Sequence, residues 1–307
     1  MPVDILMATY NGEKYLRNQL LSLQQQTFDD WILWIRDDGS SDGTLQIIND
    51  FILLDSRVRK VDEGSGQRLG PSRNFLGLIK YAKSDYVIFC DQDDIWFEKK
   101  LNILIEFATK KFDKLLPCIV YCDAYGYSDR EGIIVIESIS KLHAKKLEDF
   151  LFFNAGYQGC SILFNRALAN IVKNYRAKYY YMHDDVVSLV GHVFGKVYFL
   201  PKKLMLYRQH SSNVTGNISV NLLTKFKRIV STDVFVLSKK HYEEKRAFFD
   251  AYCEELDDRT RRLFIAYLDY PKKIMIQRVW LVLRHGFSIG GHKLPLILKT
   301  LLRRPIE

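Results

Sequence analysis

The sequence has no uninterrupted apolar run of roughly the 18 residues that a membrane-spanning helix needs, although 48% of its 307 residues are hydrophobic. Its first residues also lack a basic segment followed by an apolar one, so we expect no secretory signal. Internal repeats and low-complexity stretches are missing as well, which excludes the solenoid and disordered classes. Together these features favour a globular, cytoplasmic protein with a well-formed core.

Cysteine is scarce, and its spacing fits neither a disulfide framework nor a zinc site. The number of cysteines is odd and no C-x-x-C occurs. Cys90, Cys118 and Cys160 lie inside apolar runs, so we expect buried free thiols in a reducing compartment. The five cysteines are Cys90, Cys118, Cys122, Cys160 and Cys253.

Acidic residues are outnumbered, with 36 Asp and Glu against 45 Lys and Arg, which leaves a net charge of +9. This excess favours anionic partners such as nucleotides, phospholipid headgroups or nucleic acid. The basic residues form no recognisable nucleic-acid-binding motif, so we do not expect a nucleic-acid partner.

The first part of the chain alternates strand-like and helix-like segments. This alternation predicts a mostly parallel, Rossmann-like α/β sheet with helices on both faces. The predicted strands are VDILMATYN, WILWIRDDGSSDGT, Val58–Val61 and YVIFCD. The predicted helices are GEKYLRNQLLSLQQQ, Thr44–Phe51, GPSRNFLGLIKYAK and EKKLNILIEFATKKF.

From about Cys118 the regular alternation of strand-like and helix-like segments gives way to a mixed order. Near residues 217–230 the sequence changes again, to basic, helical patterning. The pattern predicts one domain over 1–217, with halves 1–117 and 118–217, and a helical C-terminal extension over 218–307. The predicted strands of the second half are CIVYCDAYGY, EGIIVIES, SILFN, KVYFLP and LMLYRQH. Its predicted helices are KLEDFLFFN, RALANIVKNY and DVVSLVGHVF.

Three predicted strands end in unusual polar chemistry, at ATYN (8–11), RDDGSSD (36–42) and CDQDD (90–94). In open parallel sheets, ligands bind beyond the carboxyl ends of the strands. Any one of these segments alone reads as an ordinary turn. Three of them at corresponding strand ends indicate a site.

The third strand end places Asp91, Asp93 and Asp94 within four positions. Such carboxylates repel one another, and one would normally take up a proton. A divalent cation reverses that penalty, and Mg²⁺ and Mn²⁺ prefer oxygen ligands completed by phosphate oxygens. The pattern therefore suggests a metal–diphosphate clamp.

Taken together, the segments ATYNGEKYLRNQLLSLQQQTF, RDDGSSDGT, GPSRNFLGL, FCDQDDIW and MHDD resemble the family 2 glycosyltransferases. The resemblance covers residues 4–217 and implies a GT-A nucleotide-sugar-binding fold and an inverting mechanism. YQGCSILFNRAL, YMHDD and LYRQHSSNVTG look most like the rhamnosyltransferase-like members. Those members usually show aromatic residues after H-D, where Asp185 and Val186 stand here.

The resemblance implies which residues bind the nucleotide. Tyr10 and Asp38 would hold the base with the backbone of Ala8, and Arg73 would lie near the phosphates. Asp91 would contribute to both nucleotide and metal binding.

The resemblance also implies a metal site and a base. Asp93, helped by Asp91, would bind Mn²⁺ or Mg²⁺, and His210 would touch phosphate or metal from a loop that closes over the diphosphate. Asp184 would act as the catalytic base. Without the resemblance, Asp184 is first interpreted as an acid favoured at a helix start, and a loop histidine such as His210 is more often only solvated.

The expected function is transfer of a sugar, such as L-rhamnose, from a dTDP- or UDP-sugar to a saccharide or lipid-linked saccharide in bacterial surface-polysaccharide synthesis. Two rival classes are a sugar nucleotidyltransferase and a non-catalytic nucleotide- or glycan-binding protein. The first rival usually needs a Gly-rich, basic loop after the first strand, which ATYNGEKY does not supply. The acidic set of Asp38, Asp91, Asp93 and Asp184 speaks against the second.

The last segment, 271–307, carries eight Lys and Arg against a single Glu, interleaved with Leu, Ile and Trp280. One interpretation is an amphipathic surface on an anionic membrane, which would place the protein at the inner face of the cell membrane. The other is a helical subdomain packed on the core with a solvated basic face. The sequence leaves both open.

Overall fold

The computed structural model describes residues 2–62, 68–153, 157–210 and 234–307. The described chain forms two compact units. The first contains residues 2–141, 157–174 and 194–210, and the second contains residues 142–153, 175–193 and 234–307, both within the described ranges. The boundary expected at residue 217 lies outside the described residues, and the domain division stays a prediction.

The first unit begins with the parallel α/β alternation that the sequence predicts. Its strands are β1 (Val3–Thr9), β2 (Trp31–Asp37), β3 (Val58–Lys60) and β4 (Tyr86–Cys90). Its first helices are α1 (Glu13–Gln24), α2 (Thr44–Leu54), α3 (Pro71–Leu78) and α4 (Lys100–Lys111). The four strands pair in parallel in the order β3-β2-β1-β4, which confirms the predicted parallel sheet.

Hydrophobic spacing explains these elements. Every residue of β4 is buried, as expected for a strand covered on both faces. Helix α1 buries Leu16, Leu20 and Leu23, which recur on one helical face. The buried positions therefore match a continuously apolar strand and a helix with one apolar face.

The sheet continues through a mixed half in the first unit. The remaining strands are β5 (Ile95–Trp96), β6 (Cys118–Ser128), β7 (Ile133–Ile136), β8 (Ile162–Asn165) and β9 (Lys196–Gln209), with helix α6 (Arg166–Lys173). Strand β8 runs antiparallel between β4 and β6, and β6 pairs in parallel with β9. The predicted change to a mixed sheet is confirmed.

The prediction of two separate strands, KVYFLP and LMLYRQH, is wrong because β9 is continuous. Its register with β6 jumps from Leu200 opposite Cys122 to Lys203 opposite Asp123. Pro201 therefore falls in a bulge, where its missing N–H breaks no ladder bond. The two-residue strand β5 was not predicted, because so short a segment has no periodicity.

The second unit is mainly helical. Its helices are α5 (Leu147–Phe150), α7 (His183–Phe194), α8 (Lys239–Tyr252), α9 (Asp258–Asp269), α10 (Met275–His285) and α11 (Lys293–Leu302). Phe152 packs edge-on against Tyr267 and Tyr270 in an aromatic core. The helical C-terminal patterning is confirmed. A short parallel pair, β10 (Phe235–Leu237) with β11 (Arg304–Ile306), was not predicted.

All five cysteines are free, and four of them are buried, which confirms the expected free thiols. Among the described helices, none combines the length and the apolar character needed to cross a membrane.

Candidate functional site

The carboxyl ends of β1, β2 and β4 lie at one edge of the sheet. Thr9 is opposite Asp37, and Met7 is opposite Cys90, so the three polar segments leave the sheet side by side. The Thr9 hydroxyl donates to Asp37 Oδ1 at 2.9 Å. This placement confirms the expectation that the three strand ends meet.

The first two strand ends are tied together by short polar contacts. Asp37 Oδ2 accepts from the N–H groups of Gly39 (3.0 Å) and Ser40 (2.8 Å). Asn11 has a positive φ of 46° and accepts from the Ser41 N–H at 2.9 Å. These bonds hold ATYN and RDDGSSD in one rigid turn cluster.

The third strand end is clamped to the first by Gln92. Its Oε1 accepts from the Tyr10 N–H at 2.9 Å, and its Nε2 donates to the Tyr10 carbonyl at 3.0 Å. A Cβ at Gly12 would overlap Gln92 Oε1, so a larger residue there would displace this amide. The backbone of Tyr10 is therefore fixed from both sides.

Asp38 is 4% exposed and is engaged by protein donors. Its oxygens accept from Arg36 Nη1 at 2.9 Å and from the N–H groups of Leu69 and Gly70 at 2.7 Å each. Ala8 is the register partner of Arg36. The Asp38 carboxylate thus anchors the segment that leads into α3.

Two cationic side chains flank this turn cluster. The guanidinium of Arg68 lies 4.1 Å from the ring centre of Tyr10. Arg73 is exposed in the first turn of α3, just after Gly70, which has a φ of 77°. Arg68 is therefore placed for an anionic group beside the Tyr10 ring.

The acidic cluster, defined as Asp91, Asp93 and Asp94, follows β4. Oxygens of Asp91 and Asp94 and the Cys160 sulfur all lie within 4.8 Å of one another. Asp94 is 1% exposed. Its Oδ1 accepts from the Arg208 N–H at 3.1 Å, while its Oδ2 has no hydrogen-bond partner among the described residues.

Desolvation changes the acidity of this cluster. Burial, and then the charge of Asp93, raises the pKa of Asp91 to about 7. Burial, and then the charges of Asp93 and Asp91, raises the pKa of Asp94 well above its usual value. The cluster therefore carries less charge than three ordinary carboxylates unless a cation joins it.

A buried lysine lies beneath the cluster. Lys100 is 0% exposed, and its ammonium group donates to the Cys160 carbonyl at 2.7 Å and to Met205 Sδ at 3.0 Å. It also lies 3.6 Å from the ring centre of Trp96. Its charge opposes the rise in the pKa of Asp91.

Asp93 and His210, both expected at the metal, are in contact. His210 Nε2 lies 2.8 Å from Asp93 Oδ2, and the side chains are 13% and 22% exposed. Arg208, next to this pair, donates through Nε to the Asp93 carbonyl at 2.7 Å and forms an ion pair with Asp129. The loop after His210, expected to cover the diphosphate, lies outside the described residues.

The donor set suits a hard cation. Carboxylate oxygens are the ligands that Mg²⁺ and Mn²⁺ prefer, and the unpartnered Asp94 Oδ2 offers one. Burial raises the pKa of the Cys160 thiol well above its usual value, so the thiol stays protonated and is a poor ligand. The acidic cluster therefore fits Mg²⁺ or Mn²⁺ better than a thiolate-bound metal.

Asp184 lies in the second unit, in the first turn of α7. Its Oδ1 accepts from the Asp185 N–H at 3.0 Å, and its side chain is partly exposed. Asp185 is 2% exposed and points to His241, with Oδ2 3.2 Å from Nε2. Burial lowers the pKa of His183 to about 3, so His183 is neutral and packs in the core.

Comparison with known proteins decides the family. The family model described as "Glycosyl transferase family 2" matches residues 4–172, more than half of the chain.

The chain belongs to glycosyl transferase family 2. It is 29% identical over 239 residues to the dTDP-rhamnosyl transferase RfbG of Shigella flexneri, a match that covers 73% of this chain and 78% of that protein. It is also 33% identical over 108 residues to an Escherichia coli glucosyltransferase, WfgD, named as acting with UDP-Glc on GlcNAc-diphosphoundecaprenol. That match covers 35% of this chain and 41% of WfgD. The predicted family is confirmed, and the chain is a glycosyltransferase.

Solved structures confirm the fold of this family 2 enzyme. Staphylococcus aureus TarS with UDP-GlcNAc superposes with a TM-score of 0.58 at 16% identity, covering 92% of this chain and 80% of that one. The Pyrobaculum calidifontis mannosyltransferase PcManGT, with GDP-Man and Mn²⁺, gives a TM-score of 0.52 at 14% identity and covers 97% and 86%. The GT-A-type fold is confirmed.

The structure brings together the predicted residues of the first unit at one sheet edge: Ala8, Tyr10, Asp38, Asp91, Asp93 and His210. Arg73 follows the Asp38-anchored turn. Several site residues were not predicted, because their roles depend on partners far away in the sequence. They are Arg68, Gln92, Lys100 and Arg208.

Proposed function

We propose that this family 2 enzyme transfers a sugar, with inversion, from a nucleoside-diphosphate sugar to a saccharide or lipid-linked saccharide in bacterial surface-polysaccharide synthesis. The observation that carries the proposal is the acidic cluster at the sheet edge, where Asp94 Oδ2 is buried without a described partner. The similarity to RfbG over 73% of the chain supports dTDP-rhamnose as donor, and WfgD supports a UDP-sugar and a lipid-linked acceptor.

The nucleotide is held at the turn cluster. The Tyr10 ring offers a face for the base, with the backbone of Ala8 beside it, and Arg68 and Arg73 provide positive charge for the phosphates. Three donors among the described residues contact the Asp38 carboxylate. A carboxylate has about four lone-pair positions, and an N–H of a pyrimidine base takes a further one.

The acidic cluster holds Mn²⁺ or Mg²⁺, with Asp93 and Asp91 as ligands and Asp94 supplying a further oxygen. His210, in contact with Asp93, contributes to the same site. When bound, the cation supplies Lewis-acid stabilisation of the leaving diphosphate. Lys100 donates to the Cys160 carbonyl and Arg208 to the Asp93 carbonyl, and these bonds fix the backbone around the cluster.

Asp184 acts as the catalytic base. Its partly exposed carboxylate accepts the proton of the acceptor hydroxyl as that oxygen attacks the anomeric carbon from the face opposite the leaving group. One displacement of this kind inverts the configuration, and a carboxylate base at such a step contributes about 10²- to 10⁴-fold.

The test is a screen of sugar hydrolysis and transfer with UDP-, dTDP- and GDP-sugars, each with Mn²⁺, with Mg²⁺ and with EDTA. We expect release of one nucleoside diphosphate in preference to the others, and loss of that release in EDTA. Release that continues unchanged in EDTA would contradict the metal site. Formation of a sugar nucleotide from a nucleoside triphosphate and a sugar phosphate would instead support the nucleotidyltransferase alternative.

A further inference from the structure

Helix α10 exposes an apolar stripe on the side opposite its buried face. Leu281 and Val282 are buried, with exposures of 8% and 0%. Ile276, Trp280 and Leu283 recur at helical spacing on another face and are 73%, 56% and 51% exposed. The helix is therefore packed on one side and presents large apolar side chains on the other.

Helix α11, which packs against α10, repeats this arrangement. It buries Leu296 and Thr300, at 0% and 1% exposure. Leu294, Leu298 and Leu301 are 65%, 47% and 47% exposed. The two helices therefore bury one face within the second unit, and the large side chains that they leave exposed are apolar.

We define the C-terminal apolar face by its exposed large side chains. They are Ile274, Ile276, Trp280, Leu283, Leu294, Leu298, Leu301 and Leu302. Large exposed apolar side chains grouped on two helices that pack against each other mark an interaction site.

The charges around the face identify its partner. Residues 271–306 contain eight Lys and Arg and no Asp or Glu. Lys272, Lys273, Arg284 and Lys293 are exposed, and the guanidinium of Arg284 lies 5.5 Å from the ring centre of Trp280. A second copy of the chain would bring like charge to this surface, whereas an anionic bilayer complements it.

We propose that the C-terminal apolar face inserts into the headgroup region of a bilayer that contains anionic lipid. Trp280 lies at the interface with its indole among the headgroups, and the flanking cations contact lipid phosphates. The purpose of this binding rests on the proposed function, because it holds the enzyme beside a lipid-linked acceptor. The binding itself is measurable without any sugar transfer.

The test uses the full chain with vesicles of phosphatidylcholine alone and of equal parts phosphatidylcholine and phosphatidylglycerol. We expect sedimentation with the anionic vesicles, a blue shift of tryptophan fluorescence, and weakening by salt. The triple variant Ile276→Ser, Trp280→Ser, Leu283→Ser should lose roughly tenfold or more in vesicle affinity. These side chains are exposed, so the variant should keep its circular dichroism spectrum and its nucleotide affinity.

A matched control removes apolar surface elsewhere. Leu53 and Leu54 on α2 are 87% and 72% exposed, and Leu53→Ser with Leu54→Ser should leave vesicle binding unchanged. Replacing Arg284 and Lys293 by Gln should weaken binding to the anionic vesicles by roughly fivefold per charge, with little effect on the neutral ones.

Two results would overturn the proposal. One is equal affinity of the wild type and the triple variant for anionic vesicles. The other is a dimer in sedimentation equilibrium that Trp280→Ser dissociates, without vesicle binding by the wild type. Transfer to a water-soluble acceptor with normal metal dependence would show in either case that the proposed chemistry still stands.

Discussion

The two units of the protein each bury a group of acidic side chains, but only the group of the first unit includes partly exposed members, Asp91 and Asp93. Asp93 there keeps 22% of its side chain exposed, and Asp94 Oδ2 has no described hydrogen-bond partner. The nearby Lys100 is fully bonded, to a carbonyl, a thioether and an aromatic face. Lys100 therefore fixes the backbone beside this cluster, while Asp94 Oδ2 has no described hydrogen-bond partner.

The acidic group of the second unit is buried away from solvent. Asp185 and Glu244 are 2% and 1% exposed, and His241 lies beside Asp185. Lys245 is 0% exposed, and its ammonium group has no hydrogen-bond partner among the described residues. Glu244 Oε1 accepts from the Tyr181 N–H at 3.0 Å, just before α7 begins.

The comparison shows that burial and a raised pKa do not by themselves identify a binding site. The pKa is raised to about 7 for Asp91 and to about 8 for Glu244, with burial as the first cause in both. Oxygens without a described partner occur in both groups, at Asp94 in the first and at Asp185 and Glu244 in the second, so what distinguishes the first cluster is the 22% exposure of the Asp93 side chain. Asp185 itself is paired with His241, with Oδ2 3.2 Å from Nε2.

The largest expected effect comes from the base. Asp184→Asn should lower kcat by about 10²- to 10⁴-fold with little change in donor affinity, because only the proton acceptor is lost. Steady-state transfer kinetics and nucleotide titration measure the two quantities. The control is Asp258→Asn, an exposed first-turn acid of α9, which should leave kcat unchanged. Near-normal kcat in Asp184→Asn would assign the base to another residue.

The two buried lysines should respond unequally to the same substitution. Lys100→Met removes a hydrogen-bonded cation and leaves buried acids without their counter-charge, so the free energy of unfolding should fall by about 3–5 kcal/mol. Lys245→Met also removes a counter-charge, that of Glu244, but its ammonium group has no described hydrogen-bond partner, so the loss should be smaller. Urea unfolding of both variants measures this contrast, and equal losses would refute it.

A smaller effect concerns pH and Glu244. Its pKa is raised to about 8 by burial and by Asp185, and is opposed by Lys245 and by the Tyr181 N–H. From about pH 4.5 to about pH 8 the folded state holds a proton that the unfolded state has released, so stability falls as pH rises through that window. Glu244→Gln should flatten this slope in unfolding experiments across the window. A slope that is the same in both proteins would show that Glu244 ionises normally.

The sequence predicted the features that depend on local patterns. The alternating elements, the polar ends of β1, β2 and β4 and the acidic cluster all follow from hydrophobic period and turn chemistry. The continuity of β9 was missed because proline usually ends a strand, and only the register with β6 reveals the bulge.

The missed site residues depend on tertiary contacts. Gln92 acts on Tyr10, 82 residues away, and nothing local distinguishes its amide from a surface glutamine. Lys100 is the first residue of an ordinary amphipathic helix, and its partners Cys160 and Met205 lie 60 and 105 residues away in the sequence. Such roles arise only when the fold removes a polar group from water and supplies a partner for it.

The central claim is that the acidic cluster of the first unit holds a divalent cation on the nucleoside diphosphate. Calorimetric titration of dTDP and UDP, with Mn²⁺ and with EDTA, tests it most directly in the wild type, in Asp93→Asn and in the exposed control Asp29→Asn. We predict that Mn²⁺ strengthens nucleotide binding by roughly tenfold or more in the wild type and the control, and that Asp93→Asn loses this gain. Nucleotide affinity that is the same with Mn²⁺ and with EDTA, or a gain that Asp93→Asn retains in full, would contradict the claim.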